Sequence, residues 1–243
     1  GNINFNNNRN NLYITRKILK KIKHRGPDVS KVLKVSNHTI GFNRLSILAT
    51  NSKYANQPLQ IGNNILIFNG EIYNYNDLTN LVSKFIKEKS NYGDTEVLFH
   101  LIKEYGVNFA LKKIKGMFSF VWIDLNKNVI QLCRDRIGEK PLYYFKNDED
   151  FWFASEIKAI TLTGQTSGEI NHYKINDYFA NGKINGKYTF FKDIYEVEPG
   201  QIINLNTKNK KITYKNYWLL DKLYKKKINN FEKASVNIKK ILS

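Results

Sequence analysis

The sequence predicts an α+β domain in which amphipathic helices cover two stacked, largely antiparallel sheets. Two observations carry this reading. Apolar runs of strand length crowd the middle of the chain, as MFSFVWID (117–124), VIQLCR (129–134), PLYYF (141–145) and FWFAS (151–155), with turn residues between them. Segments whose apolar residues recur at helical spacing lie before and between the strands.

Element by element, Ile3 and Phe5 alternate with polar residues and predict a short strand, followed by an Asn-rich turn over 6–10. Leu12, Ile18, Leu19 and Ile22 predict a helix over 12–22, which HRGPD (24–28) ends, because Gly26-Pro27 cannot continue it. Val32-Leu33-Val35 and Thr39-Ile40-Gly41-Phe42 predict a hairpin around Ser36-Asn37-His38. Ile65-Leu66-Ile67-Phe68 is an apolar strand that runs straight into Asn69-Gly70-Glu71. Leu78, Leu81, Val82 and Phe85 form one face of a helix. Asp94 reads as the N-cap of a second helix with Val97, Leu98, Leu101 and Ile102 on its apolar face. Asn126-Lys127-Asn128 and Asn147-Asp148-Glu149-Asp150 supply turns in the strand block. The region 172–195 is mixed, and VEPGQIINL and KKITY read as a final hairpin. From about Leu219 a lysine-rich segment leads into an amphipathic helix with Phe231, Ala234, Ile238 and Ile241.

A chain of 243 residues holds one large domain, or one domain plus the start of another. Its 42% hydrophobic and 14% aromatic content supports a real core and argues against global disorder. No apolar run is long enough to span a bilayer and no signal segment opens the chain, so the expectation is a cytoplasmic protein without a membrane partner. One cysteine, Cys133, excludes an internal disulfide and a multi-thiolate metal site. The net charge of +18 is spread along the whole chain beside many asparagines and is densest at Lys222, Lys225, Lys226 and Lys227. No stacking-aromatic or helix-turn-helix pattern accompanies it, so no specific nucleic-acid partner is expected.

Several residues admit a chemical and a structural reading. Asn69 offers a side-chain donor and Gly70 an unobstructed N–H, which together can face a developing oxyanion; the same dipeptide is the commonest hairpin turn. Arg44, directly after a strand, can clamp a carboxylate or simply be solvated. Asp94 can hold an ammonium or only cap its helix. Arg134-Asp135 and Arg136 before Gly138 form either a buried ion-pair brace or a turn. Cys133 lies in an alternating strand, which favours a packed hydrophobe over a nucleophile. His24, beside Arg-Gly-Pro with no Ser or Cys partner evident, reads as a loop stabiliser more than a catalyst.

Read together, HRGPD, RLSI, QPL, NGEIYN, GDTEV, GMFSF, RDRIGEKPLYY, FASEIKAI and VEPG resemble, in order and at compatible spacing, the glutamine-hydrolysing domain of the bacterial B-type asparagine synthetases. The resemblance covers residues 1–218. It implies a class II glutamine amidotransferase with the N-terminal-nucleophile hydrolase fold, a four-layer α/β/β/α sandwich. By the resemblance Asn69 and Gly70 are the oxyanion hole, Arg44 binds the α-carboxylate of L-glutamine and Asp94 its α-amino group. Glu71 and the backbone of Leu45 and Ile47 line the same pocket.

The family's mechanism uses an N-terminal cysteine whose thiol attacks the side-chain amide, with its own α-amine as base. GNINF resembles the residues that come after the family's Cys-Gly-Ile-Ala opening, so about four residues are expected before Gly1, and residues 1–243 alone are not expected to hydrolyse glutamine. Cys133, being internal, has no α-amine. Residues 219–243 resemble the linker and first helix of an ATP-pyrophosphatase synthetase domain, but no Ser-Gly-Gly-x-Asp-Ser loop occurs. No cofactor is therefore expected in this domain; ATP and Mg²⁺ belong to the covalently linked synthetase domain, where ammonia would convert adenylated aspartate to asparagine. The resemblance leaves a homodimer open. Alternatives are another ammonia acceptor, a sugar or a peptide, or a catalytically dead regulatory domain. RLSIL argues against the sugar-phosphate and phosphoribosyl amidotransferases.

Overall fold

The computed structural model describes residues 1–5, 11–47, 49, 52–86, 91–220 and 230–242. The Asn-rich turn and the run Lys222, Lys225, Lys226, Lys227 lie outside the described residues. In chain order the first half comprises β1 (Asn2–Asn4), α1 (Leu12–Lys21), β2 (Val29–Val35), β3 (His38–Arg44), β4 (Leu59–Ile61), β5 (Asn64–Ile72), α2 (Tyr75–Val82), α3 (Asp94–Tyr105) and α4 (Val107–Lys113). The second half comprises β6 (Gly116–Asp124), β7 (Val129–Arg134), β8 (Tyr143–Lys146), β9 (Asp150–Ala154), α5 (Ile157–Thr161), α6 (His172–Asn181), β10 (Tyr195–Glu196), β11 (Gln201–Asn206), β12 (Ile212–Asn216) and α7 (Phe231–Leu242).

Among the described residues the strands form two six-stranded sheets, ordered β10-β8-β9-β1-β3-β2 and β12-β11-β7-β6-β5-β4. Every described pairing is antiparallel. Side-chain alternation along single strands shows how the layers stack. In β9, Phe151 and Phe153 face the second sheet while Trp152 faces α1 and α5. In β6, Val121 and Ile123 face the first sheet while Phe118, Phe120 and Trp122 face α2, α3 and α4. Three apolar interfaces therefore separate four layers, helix on sheet, sheet on sheet and sheet on helix, and the α/β/β/α sandwich is the observed architecture. The middle interface is closed by full burial of Ile3, Ile40, Phe151 and Ile65, each contributing about 1.5–3 kcal/mol through removal of apolar surface from water.

Three local expectations are corrected. Asn69, Gly70 and Glu71 do not follow the strand but belong to β5, paired with Ser119, Phe118 and Met117 of β6, so Asn69-Gly70 is no hairpin turn. Asp94 is the first helical residue of α3 rather than its N-cap, which is Gly93. Leu81 is 38% exposed, because α2 stops at Val82 and only Leu78 and Val82 reach the core. The short elements β4, β10, α4 and α5 carry too few residues to show a period. The final helix forms as expected, with no residue of α7 buried among those described.

Candidate active site

The site begins with the parity of one strand pair. The Tyr73 N–H bonds to the Lys115 carbonyl, and the Leu125 N–H to the Asn63 carbonyl. Odd-numbered residues of β5 thus occupy the hydrogen-bonded positions opposite β6, and even-numbered N–H groups point to the other edge. There β4 reaches only as far as Leu66. Beyond it the Phe68 N–H is taken by Gln57 Oε1 and the Ile72 N–H by Asp94 Oδ2 at 3.1 Å. Gly70, between them, aims its N–H the same way, into a pocket it lines. Only glycine fits: its φ is +149°, and a Cβ would lie 2.1 Å from the Met117 carbonyl oxygen.

Asn69 has the opposite orientation. It continues the row Ile65 and Ile67 on the face turned toward the first sheet, where its Nδ2 is buried and makes no hydrogen bond. An unmet buried donor costs about 1–3 kcal/mol, which makes it a strained feature of the folded chain and an offer to a ligand acceptor.

The facing sheet contributes Arg44, on the same side of β3 as Ile40. Its guanidinium is buried and donates to Asn56 Oδ1 at 2.8 Å and to the Ala49 carbonyl at 3.1 Å, both neutral acceptors. Burial lowers its pKa, and the charge of Asp28 opposes that effect. Asp28 also holds the next turn of chain, accepting from the Ser46 N–H at 2.7 Å between Leu45 and Ile47. Gly26 lets the HRGPD loop lie against β3, since a Cβ there would meet the Asn43 carbonyl oxygen at 2.4 Å. From the helical layer comes Asp94, 5% exposed. Burial pushes its carboxyl up to about 6, with a smaller push from Glu71, against the lowering by the Ile72 and Thr95 N–H groups.

The residues that the resemblance assigns to the pocket, Arg44, Leu45, Ile47, Asn69, Gly70, Glu71 and Asp94, line one cavity of about 260 Å³. It holds a guanidinium at one side, carboxylates at another and amide donors on β5. That arrangement suits a small zwitterion with an acyl oxygen more than a drug-sized ligand. Sequence reasoning attaches no role to Asn56, Gln57, Thr95 or Lys140, which belong to the same surroundings; Gln57, Thr95 and Lys140 enter it only as letters of the motifs QPL, GDTEV and RDRIGEKPLYY, and Asn56 not at all. An apolar cavity of about 120 Å³ adjoins, sharing Asn69, Phe42, Asn43 and Arg25 and reaching Gly1, Gly41, Ala154 and Ser155.

The other candidates resolve structurally. Arg134 does not pair with Asp135 but with Glu196 at 2.7 Å, and it donates to the Lys140, Val197 and Gly138 carbonyls. Asp135 accepts from the N–H groups of Phe118, Ile137, Gly138, Glu139 and Lys140, so this loop is a brace. Arg136 donates to the Ile114 and Leu111 carbonyls. Cys133 is fully buried against the helical layer, where burial pushes its thiol well above the ordinary value. His24 contacts Glu156 at 2.7 Å and ties a loop to the start of α5. Among the described residues no group of three or more His, Cys, Asp or Glu is placed to hold a metal, and no helix is long and apolar enough to cross a membrane.

Comparison with known proteins shows the family and the fold. A putative glutamine-hydrolysing asparagine synthetase of Methanocaldococcus jannaschii is 32% identical over 225 residues, covering 84% of this chain and 43% of the relative. A glutamine-hydrolysing asparagine synthetase of Bacillus subtilis is 34% identical over 216 residues, covering 86% of this chain and 28% of the relative. The chain thus spans less than half the length of these relatives. The glutamine phosphoribosylpyrophosphate amidotransferase of B. subtilis, solved with ADP and GMP, superposes with a TM-score of 0.62 over 86% of this chain and 47% of that one, at 19% identity, which shows a shared fold. The model of the glutamine amidotransferase domain matches residues 1–218, and the chain belongs to that family.

Proposed function

We propose that the pocket binds L-glutamine and that its hydrolysis to glutamate supplies ammonia to a linked synthetase. The observation that carries this reading is convergence: a guanidinium, a buried carboxyl and two amide donors line one cavity. Arg44 would hold the α-carboxylate through charge-assisted hydrogen bonds, and Asp94 the α-ammonium. Leu45 and Ile47, whose side chains are exposed, would contribute backbone groups, and Glu71 a wall. The side-chain carbonyl would then lie against Asn69 Nδ2 and the Gly70 N–H. Attack by a thiolate on the amide carbon places negative charge on that oxygen, and donors already fixed by β5 meet it with little reorganisation. Ammonia leaves with one added proton, and water then cleaves the thioester to glutamate and the free thiol.

The nucleophile in this reading is a cysteine opening the polypeptide. Register supports its place. Asn2 pairs with Thr39 and Ile3 with His38, so each step upstream of Gly1 moves one step along β3 toward Arg44. The fourth residue before Gly1 would lie opposite Arg44, and the segment between would run past Gly41, Ala154 and Ser155, which line the apolar cavity. Asparagine synthesis is proposed for the longer polypeptide on the strength of the relatives' names; ATP, Mg²⁺ and aspartate enter that proposal through the family resemblance alone.

The test is steady-state glutaminase kinetics on the full-length polypeptide with its native start. Glutamate release from glutamine is expected. Arg44→Ala should raise KM at least about 10-fold with a smaller change in kcat, as for loss of a charge-assisted ground-state contact. An unchanged KM would place the carboxylate elsewhere, and absence of turnover in the parent would overturn the reading.

A further inference from the structure

Two adjacent residues outside the proposed catalytic set touch both halves of the pocket. Asn56 and Gln57 follow the 3₁₀ turn Lys53–Ala55 and precede β4. Asn56 Oδ1 accepts from the Arg44 guanidinium at 2.8 Å. Gln57, 7% exposed and lining the cavity, accepts the Phe68 N–H through its Oε1. That N–H lies on the same outward edge of β5 as Gly70's, two residues before it, and Asp94 takes the next one, at Ile72.

We propose that Asn56-Gln57 is a positioning clamp for the glutaminase site, one residue orienting the carboxylate-binding arginine and the next fixing the oxyanion edge. The proposal rests on the glutamine reading above and assigns these two residues roles within it. The physical reason is geometric. Pairing with β4 stops at Leu66, so without other partners the β5 edge from Phe68 onward would be a row of unpaired donors, free to twist or to pair with another strand. Gln57 and Asp94 take the N–H groups on either side of Gly70 and hold its peptide between two fixed points. Because Gln57 is bonded in sequence to Asn56, the same backbone sets Arg44 relative to that peptide. Catalysis gains only if the donors stand within a few tenths of an ångström of the oxyanion, so the distance between clamp and edge is a catalytic quantity. Neither residue touches the reacting atoms; both act through others.

The roles predict different kinetic signatures. In the full-length protein, Asn56→Ala should loosen Arg44 and raise KM for glutamine about 5- to 10-fold, with kcat within about 2-fold. Gln57→Met, which keeps length but loses the acceptor, should lower kcat at least about 10-fold with KM nearly unchanged. Rates are normalised to active sites titrated with a covalent glutamine analogue, so partial unfolding does not imitate the kcat effect. Amide hydrogen exchange of the full-length protein supplies a readout free of turnover. In Gln57→Met the Phe68 amide should exchange at least about 10-fold faster, while Ile67 and Asn69, bonded to β6, keep their protection. A uniform rise in exchange, or none at Phe68, would overturn the clamp at the level of structure. Turnover per active site equal to wild type in Gln57→Met, or an unmoved KM in Asn56→Ala, would overturn it at the level of catalysis. A wild-type parent inert toward glutamine would overturn the underlying reading instead, whatever the exchange data show.

Discussion

The loop Arg134–Lys140 and the edge of β5 from Phe68 to Ile72 lie a few residues from each other across β6, yet they treat polar groups in opposite ways. In the loop the charged side chains of Arg134, Asp135 and Arg136 are all taken up by partners. Asp135 satisfies five backbone N–H groups, and Arg134 takes three carbonyls and one carboxylate. On the edge, Asn69 keeps a buried amide nitrogen without a partner, and Gly70 turns its N–H into the cavity. A saturated network is rigid and inert, because nothing remains to offer a ligand. On the proposed reading the unsaturated edge is the useful one, and it is tolerable because its neighbours are locked. Stability and chemistry are thus divided between two stretches of chain that share β6 as a common wall.

Substitutions should separate the two regions. The largest effect is expected for Asp135→Ala, which strips the acceptor from five N–H groups and should cost about 3–5 kcal/mol, read by urea unfolding of residues 1–243. A loss below about 1 kcal/mol would show that water replaces the carboxylate and that the loop is no brace. Asn69→Ala should do the reverse. It removes an unpartnered donor, so stability should stay within about 1 kcal/mol, while kcat of the full-length enzyme falls roughly 100-fold. Equal turnover in mutant and parent would remove Asn69 from the oxyanion role.

A smaller effect concerns pH. The Asp94 carboxyl, raised to about 6 by burial, binds protons in the folded state that the unfolded chain has released. Between about pH 4 and 6 its contribution to stability therefore declines as pH rises, by at most about 1.4 kcal/mol per pH unit. Its ionised form is the one that holds an ammonium, so KM for glutamine should fall over the same window and level off above it. Asp94→Asn should flatten both trends; a KM profile identical to wild type would place the ammonium elsewhere. The smallest effect is expected at Cys133, fully buried and facing the helical layer. Cys133→Ala should cost about 1 kcal/mol and leave glutaminase turnover unchanged, whereas a lost rate would make it more than a packing residue.

Much of this architecture was legible in the residues. The near-continuous apolar runs MFSFVWID and FWFAS mark strands buried on both faces, because each face meets a different apolar layer. The residues that line the pocket stand in the ordered motifs, yet the conformation of Asn69-Gly70 was not legible there. Locally the dipeptide fits a turn; only pairing with Ser119 and Phe118, far along the chain on β6, keeps it extended. Asp94 misled for a related reason. Its side chain looks like a cap, but a long-range partner, the Ile72 N–H, takes the oxygen. Asn56 and Gln57 were invisible as functional residues because their partners, Arg44 and Phe68, are settled by tertiary packing.

Glutamine hydrolysis at this pocket turns on where an acyl oxygen sits. The most direct measurement is a structure of the full-length protein with glutamine, or its thioester, in the pocket. The side-chain oxygen should lie at about 3 Å from both Asn69 Nδ2 and the Gly70 nitrogen, with the α-carboxylate on Arg44. A ligand whose acyl oxygen points away from β5, with those two nitrogens still unpaired, would contradict it.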